Sequence, residues 1–290
     1  MIHIKLTAYP LGQSHYSGSQ GAQIGLTGWL GSMFGRFVGY HYNMSKEDVT
    51  MPVYTVKLVS REEVADGTMA FYFEKPEGFT HKAGQYADLT LINPSETDAE
   101  GNIRTFTLAN APYEDALMFA TRMRDSAFKR VLKTMPLGTE ITLDAPHGSF
   151  TLHNKASVPA VFLSGGIGLT PARSIILQAA RDKLAHKIFL FDSNKRPEDA
   201  VFLEELLDAQ KTNPNYTFVG TMTQMDKSNC AWEGETGFIN EDMLLKYIDD
   251  LTVPIYYLAG PRAMVHAMLE MLMKAGVDDD NIRTEEFSGY

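Results

Sequence analysis

Ser164-Gly165-Gly166-Ile167-Gly168-Leu169-Thr170-Pro171 follows directly on the apolar run Ala160-Val161-Phe162-Leu163 and leads into a segment of helical periodicity. Strand, glycine turn and helix in that order are the opening unit of a parallel α/β sheet. The glycines let a dinucleotide pyrophosphate approach the backbone, and the helix start supplies unpaired amides and a favourable dipole. Gly165, Gly166, Gly168, Thr170 and Pro171 are therefore candidate nucleotide contacts. The spacing is not Gly-x-Gly-x-x-Gly, and a tight strand-to-helix turn without ligand is the plainer alternative.

Downstream, the same rhythm continues. The pattern predicts helix over residues 171–184, strand over 187–191, helix over 198–210, strand over 216–219, helix near 240–248, strand over 255–258 and helix over 261–274. Apolar strands linked by amphipathic helices mean a doubly wound parallel sheet covered on both faces. Asp192-Ser193-Asn194-Lys195-Arg196-Pro197 closes the second strand, where an adenosine ribose lies in such sheets. An acid there favours a 2'-hydroxyl and a base a 2'-phosphate; Ser193, Asn194 and Arg196 are the candidate contacts, or the loop is a polar connection with a charge pair. Ala259-Gly260-Pro261-Arg262-Ala263-Met264 is a third strand-to-helix loop, with Pro261 suited to the first helical position. Three ligand-competent loops then line one sheet edge, which turns alone explain poorly.

Upstream the texture differs. Short β-rich runs at 54–59, 69–73, 86–91 and 140–143, separated by turn residues, predict an antiparallel β-barrel, and only residues 126–134 read as helix, with Ser126 as its cap. The expected organisation is a leader at 1–50, a barrel at 51–155 and an α/β domain at 156–290, with the boundary near 153–158. The leader is rich in Gly, Ser, Gln and Tyr. Trp29, Leu30, Met33, Phe34, Phe37 and Val38 recur there at helical spacing, either as a packing helix or as a membrane-surface face, although four glycines weaken a free helix.

A chain of 290 residues allows two such cores. Its net charge of −10 opposes non-specific nucleic-acid binding. The single cysteine, Cys230, excludes an internal disulfide and a four-thiolate iron-sulfur cluster. No run approaches the roughly 20 apolar residues that span a bilayer, and no signal peptide is evident, so the expectation is a cytoplasmic protein without a transmembrane segment. The histidines at 3, 15 and 41 have no ligand spacing, and no metal site is expected. Oligomeric state is not legible.

Taken in order, the motifs over nearly all of residues 52–290 resemble the ferredoxin-NADP reductase superfamily. Residues 79–86 resemble its Phe-x-x-Gly-Gln-Phe/Tyr entry, Arg104-x-Phe106-Thr107 its Arg-x-Tyr-Ser/Thr, and Pro146-x-Gly148-x-Phe150 the end of its flavin domain. The glycine loop through Pro171 resembles the nicotinamide signature, and Gly260-Pro261-x-x-Met264 its partner. The resemblance implies FAD and NAD(P)H as cofactors. It also implies roles: Arg104 on the FAD pyrophosphate, with its neighbour Thr105; Phe106 against the isoalloxazine, or simply buried by strand alternation; Thr107 near flavin N5. Residues 122–130 fall at the second flavin-phosphate segment, making Met123, Arg124, Ser126 and Phe128 candidates. That stretch lacks the family's glycine-rich form and reads equally as a solvated basic face able to dock an acidic electron carrier. Ala259 replaces a common cysteine. Tyr290 resembles the terminal aromatic that covers the flavin, with Glu286 as polar neighbour, or belongs to an ordinary tail.

The expected activity is an NAD(P)H-dependent flavoprotein reductase passing electrons to a separate acceptor, namely a ferredoxin, flavodoxin or oxygenase component. A small acceptor such as free flavin, ferric chelate or quinone, and a non-catalytic flavin- or nucleotide-binding coupling subunit, are the alternatives.

Overall fold

The computed structural model describes residues 52–287; the expectations for the leader and for Tyr290 lie outside them. The first half is built of β1 (Val53–Ala65), β2 (Thr68–Glu74), β3 (Tyr86–Leu91), β4 (Ile103–Thr107), β5 (Ala116–Arg122), α1 (Ala127–Thr134) and β6 (Glu140–His147). Ladder order is β4-β3-β6-β1-β2-β5, antiparallel throughout. The alternation in β6 shows why it forms: Ile141, Leu143 and Ala145 are fully buried, while Glu140, Thr142 and Asp144 between them are not. Phe71, Phe73, Leu89 and Phe119 fill the interior in the same way. The wall curls like a barrel but stays open, because its edge strands β4 and β5 have no ladder between them. Ser126 caps α1 by accepting from the Lys129 amide, and Phe128, Val131 and Leu132 pack that helix on the core.

The second half comprises β7 (Ala160–Gly165), α2 (Leu169–Arg181), β8 (Ile188–Asn194), α3 (Leu203–Thr212), β9 (Tyr216–Met222), β10 (Glu235–Thr236), α4 (Glu241–Leu245), β11 (Ile255–Pro261), α5 (Arg262–Lys274) and β12 (Ile282–Phe287). Its sheet runs β10-β9-β8-β7-β11-β12, all parallel. Every residue of β7 is buried, as a strand covered on both faces requires. Phe162 and Tyr257 face α2 and α3, whereas Val161, Leu163 and Tyr256 pack with α4 and α5. The chain winds one way from β7 to β10 and then crosses to β11. Loops after β7 and β11 therefore diverge and leave a crevice, the place where such sheets bind ligands.

Two helix expectations shift. The helix expected from Glu198 is divided: a single 3-10 turn covers Pro197–Asp199, and α3 starts only at Leu203, after Phe202 takes a left-handed φ of 55°. That residue lies under the Arg173 guanidinium, 4.9 Å from ring centroid to Cζ, and Ala200 and Val201 before it are buried. The helix near 240–248 shortens to Glu241–Leu245, capped by Asn240, whose side chain accepts from the Met243 amide.

Arg173, on the second turn of α2, ties the two sheets together. Its Nε and Nη2 each donate to Glu205 of α3 at 2.6 Å, and its Nη1 donates to the Ala109 carbonyl at 2.7 Å and to Glu114 at 3.0 Å. Next to it the Ser174 hydroxyl donates to the Asn110 carbonyl at 2.7 Å. A second tie joins the β1–β2 turn to the loop after β8: Arg196 donates to Asp66 at 2.8 Å, and the Asp66 amide to the Glu198 carbonyl at 2.8 Å.

Replacing Arg173 with alanine strands two carboxylates and a carbonyl. Breaking a buried pair costs about 3–5 kcal/mol, and the partial exposure of Glu114 and Glu205 places this case near the lower end, about 3 kcal/mol. Urea unfolding of the Arg173→Ala variant checks it; an unchanged midpoint contradicts the assignment of Arg173 as the main tie.

Candidate active site at the junction of two cavities

A cavity of about 680 Å³ opens at the seam of the barrel. Strand β4 supplies Arg104, Thr105, Phe106 and Thr107, the segment entering α1 supplies Arg124 and Ser126, and β12 supplies Glu286, so seven of the expected flavin-side residues share one space. The Arg104 fork reaches Asp98 at 3.0 Å and Glu100 at 2.9 Å, donates to three nearby carbonyls, and lies over the Phe128 ring. Thr105 donates a short hydrogen bond to Asp88. Thr107 is buried, and its Oγ1 has no hydrogen-bond partner. An orphaned hydroxyl on the cavity wall suits a polar ligand atom, since leaving one unsatisfied costs about 1–3 kcal/mol.

Phe128 and Met123 do not join this lining. Phe128 is 1% exposed, in the barrel core beneath Phe106, with ring centroids 5.8 Å apart. Met123 packs on the same core, and its amide donates to the Gly67 carbonyl. Apolar residues facing inward on a short capped helix and at a strand end are buried first.

The second cavity, about 580 Å³, occupies the crevice between β7 and β11. Gly165, Gly166, Ser193, Asn194, Pro261 and Met264 line it, as the three loops predict. Gly166 takes a left-handed φ of 54°. Gly168 acts through fit: a Cβ there would stand 2.3 Å from the Ala259 carbonyl oxygen and 2.5 Å from the Gly260 Cα. Only glycine lets the two loops touch backbone to backbone. Gly260 is thus part of that contact, while Thr170, donating to the Ile167 carbonyl at 3.0 Å, and Pro171 are buried in the helix start and stiffen the loop.

The loop after β8 departs from expectation. Asp192 is 1% exposed and held by Ser164 at 2.9 Å and Asn194 at 2.7 Å. Burial pushes its carboxyl up to about 7 against those two bonds. An inward-pointing strand residue of this kind does not reach a ribose. Arg196 is also withdrawn, bonded to Asp199 through Nε and Nη2 and to Asp66. Lys195, Thr223 and Gln224 form that end of the cavity instead.

Ile167 and Arg122 line both cavities, so the two spaces adjoin there. Sequence reasoning missed both, along with Glu285. The Glu285 Oε2 is buried without a partner, and burial pushes this carboxyl up to about 7. Glu286, the expected neighbour, lies opposite Gly260 in the β11–β12 ladder and faces α5, with His266 Nε2 2.8 Å away and Arg262 at 3.5 Å. Both glutamates line the seam cavity, and the β12 register decides that Glu285 is the more buried and Glu286 the one at the rim.

Asp192 and Glu285 hold their protons more tightly folded than unfolded, with carboxyls raised from 3.8 and 4.5 to about 7. Stability therefore falls as pH rises between these values, because the native state binds the extra protons in that window. Asp192→Asn should flatten this slope in urea midpoints read from pH 5 to 8; an equal slope in both proteins contradicts the buried acid. In a separate test, Gly168→Ala should weaken ADP-ribose binding at least tenfold by calorimetry, by prising the loops apart; wild-type affinity contradicts the close contact.

Comparison with known proteins bears on this geometry. The family model of the oxidoreductase NAD-binding domain matches residues 162–270. The F polypeptide of the Na(+)-translocating NADH-quinone reductase of Pseudoalteromonas atlantica is 30% identical over 67% of this chain and 51% of its own length. The reductase component of propane 2-monooxygenase of Rhodococcus jostii is 27% identical over 74% of the chain and 57% of its own length. The chain thus spans about half the length of these curated relatives. Among solved structures, the Amycolatopsis cytochrome P450 reductase GcoB superposes with a TM-score of 0.70 at 23% identity, covering 84% of this chain and 73% of that one. A Neisseria gonorrhoeae ferredoxin NADP+ reductase with bound FAD and NADP gives 0.67 at 20% identity, covering 81% and 98%. Among the described residues no helix is long and apolar enough to cross a membrane. The chain thus shares its fold with these reductases, and its residues 162–270 match the oxidoreductase NAD-binding domain.

Proposed function

We propose that the chain is an FAD-dependent NAD(P)H oxidoreductase that takes hydride from the nucleotide and hands electrons to an acceptor outside the chain. The observation that carries this reading is the adjacency of the two cavities at Ile167 and Arg122. Residues 51–155 hold the flavin and 156–290 the nucleotide. FAD supplies the chemistry of accepting a hydride and releasing electrons singly or as a pair. The chain supplies position, water exclusion and charge.

In this reading Arg104 turns its fork from Asp98 and Glu100 toward the pyrophosphate, Arg124 and the α1 start at Ser126 assist it, and Phe106 backs the ring system. The orphaned Thr107 hydroxyl meets a polar edge of that ring. Gly165 and Gly166 admit the nucleotide pyrophosphate, Ser193, Asn194 and Lys195 its adenosine end, and Pro261 and Met264 the nicotinamide side. Glu285, which lines the same cavity as Thr107 and whose carboxyl burial pushes up to about 7, holds or releases a proton there.

The printed names of the relatives, a reductase component and part of a multi-chain reductase, support delivery to a partner protein. A small acceptor is the second reading, and one observation favours it: in the basic segment expected to dock an acidic carrier, Arg130 is bonded to both Glu96 and Asp125 and Arg122 stands 3.5 Å from Asp199. A cytoplasmic location accompanies either.

The purified protein should be yellow and should bleach anaerobically with NADH or NADPH. Bound flavin that neither nucleotide bleaches overturns the reductase reading in favour of a coupling role. Arg104→Met should weaken FAD binding by roughly tenfold to a hundredfold, the worth of one charge-assisted hydrogen bond at about 1.5–3 kcal/mol. Fluorescence titration of the apoprotein measures it.

A further inference from the structure

Ser164, Asp192 and Asn194 form a buried polar cluster beneath the nucleotide crevice; they are 1%, 1% and 5% exposed. Asp192 lies opposite Ser164 in the β7–β8 ladder. The Ser164 hydroxyl donates to its Oδ1 at 2.9 Å, and the Asn194 side-chain amide to its Oδ2 at 2.7 Å. Ser164 immediately precedes the first loop glycine, and Asn194 ends β8. The Asn194 carbonyl in turn accepts from the amide of Thr223, just after β9, at 3.0 Å. Gly165, Ser193, Asn194 and Thr223 all line the crevice, so one carboxyl lies at the root of three of its loops.

This acid has no counter-ion. Both of its donors are neutral, and among the described residues no charged side chain acts on it. Leu190, on the same face of β8, packs with α2 and α3. The charged groups brought by those elements are committed elsewhere: Arg173 to Glu114 and Glu205, and Asp199, ahead of α3, to Arg196. From β9 comes Tyr216, whose hydroxyl is buried and unpartnered and whose phenol is pushed up by burial first and by the Asp192 charge second. Loss of water pushes the Asp192 carboxyl up to about 7 against its two hydrogen bonds, so near neutral pH acid and anion coexist. The proton changes the charge and leaves the ties in place. As an anion, Asp192 accepts from both donors. As an acid it donates to Ser164 Oγ, because a hydroxyl accepts as well as donates, and Asn194 keeps its bond to Oδ2. The loops above hold their shape while the field beneath them differs. A dinucleotide pyrophosphate is doubly negative, and like charges a few residues apart in a region of low dielectric repel. Phosphates on the glycine loop therefore favour the protonated acid, and by reciprocity the protonated acid favours phosphates.

We infer that Asp192 couples nucleotide binding to proton uptake, a proton passing from solvent to its carboxylate as the pyrophosphate settles on the glycine loop. The inference rests on the nucleotide reading of this crevice and gives control of its affinity to a residue outside the lining. Asp192 does not touch the nucleotide; it acts through its charge and through the loops that it anchors. Affinity is highest below pH 7 and falls as pH rises above it, by up to about tenfold per pH unit, the limit for one linked proton.

The test separates Asp192 from two other proton acceptors beside the crevice, Glu285 in the adjoining cavity and His266, two residues along α5 from Met264. Full-length flavin-loaded protein is titrated with ADP-ribose by calorimetry near pH 7.5, in PIPES and in Tris, whose ionisation heats differ. The buffer dependence of the heat should report uptake of roughly half a proton per nucleotide, and the dissociation constant should rise several-fold from pH 7 to 8. Asp192→Asn, which keeps the shape without the charge, should bind ADP-ribose at least as tightly as wild type at pH 8, with no proton uptake and no pH dependence. Glu285→Gln and His266→Gln should retain both. A merely structural role predicts the opposite: Asp192→Asn would bind more weakly at every pH with uptake unchanged, and that result overturns the inference. Uptake that disappears in Glu285→Gln or His266→Gln but persists in Asp192→Asn overturns it too. Should Asp192→Asn misfold by circular dichroism, the wild type still decides, because ADP-ribose binding without proton uptake overturns the inference alone. ADP-ribose that fails to bind at any pH overturns the nucleotide reading, and the inference with it.

Discussion

The site depends on one guanidinium. Arg173 lies 5% exposed between two glutamates and a carbonyl, and its backbone belongs to the helix that the glycine loop begins. Glu205 comes from α3 of the parallel sheet, while Glu114 and Ala109 come from the connection between β4 and β5. One planar fork thus fixes the helix after the glycine loop to the connection that leaves β4, the strand carrying Arg104 and Thr107. A lysine has the charge but lacks the five directed donors needed to hold both carboxylates and a carbonyl at once. Hydride transfer needs reacting atoms held to within a fraction of an ångström, and in the proposed reading a tie at the root of both segments provides that stiffness.

Much of the architecture was legible because it follows from local rules. Alternation in β6 and the unbroken apolar run of β7 announce a one-faced and a two-faced strand, and Ser126 and Asn240 mark helix starts by their short acceptor side chains. The three loops at the carboxyl ends of β7, β8 and β11 were legible for the same reason. What stayed hidden depends on distant pairing. Whether Asp192 points into the sheet, or whether Arg196 spends its donors on Asp199 and on Asp66 far earlier in the chain, is settled by contacts no local pattern encodes. Phe202 turns left-handed beneath Arg173, so a helix that reads as continuous is broken by a residue from another element. The choice between Glu285 and Glu286 hinges on a one-residue register.

Electrostatics follow a consistent division of labour. At the seam cavity and just beside it two arginines are matched by carboxylates: the half-buried Arg104 by Asp98 and Glu100, and the exposed Arg130 by Glu96 and Asp125. Exposed pairs of this type contribute little to stability, and a phosphate that offers a better fork can replace the carboxylates at small cost. Buried acids behave in the opposite way. Asp192 keeps two neutral donors and Glu285 none, and both are driven toward the protonated form by loss of water. The molecule keeps its exchangeable charge at the rims and its exchangeable protons inside.

The unsealed edge between β4 and β5 reaches beyond catalysis. A barrel that closed its ladder would leave no room at the seam, so the fold retains two neighbouring strand edges there. Exposed edges are templates for pairing with other chains. A molecule seated in that seam screens them, and by mass action favours the native chain over its unfolded forms. Loading of the seam then stabilises the native chain in proportion to the logarithm of the occupant's concentration.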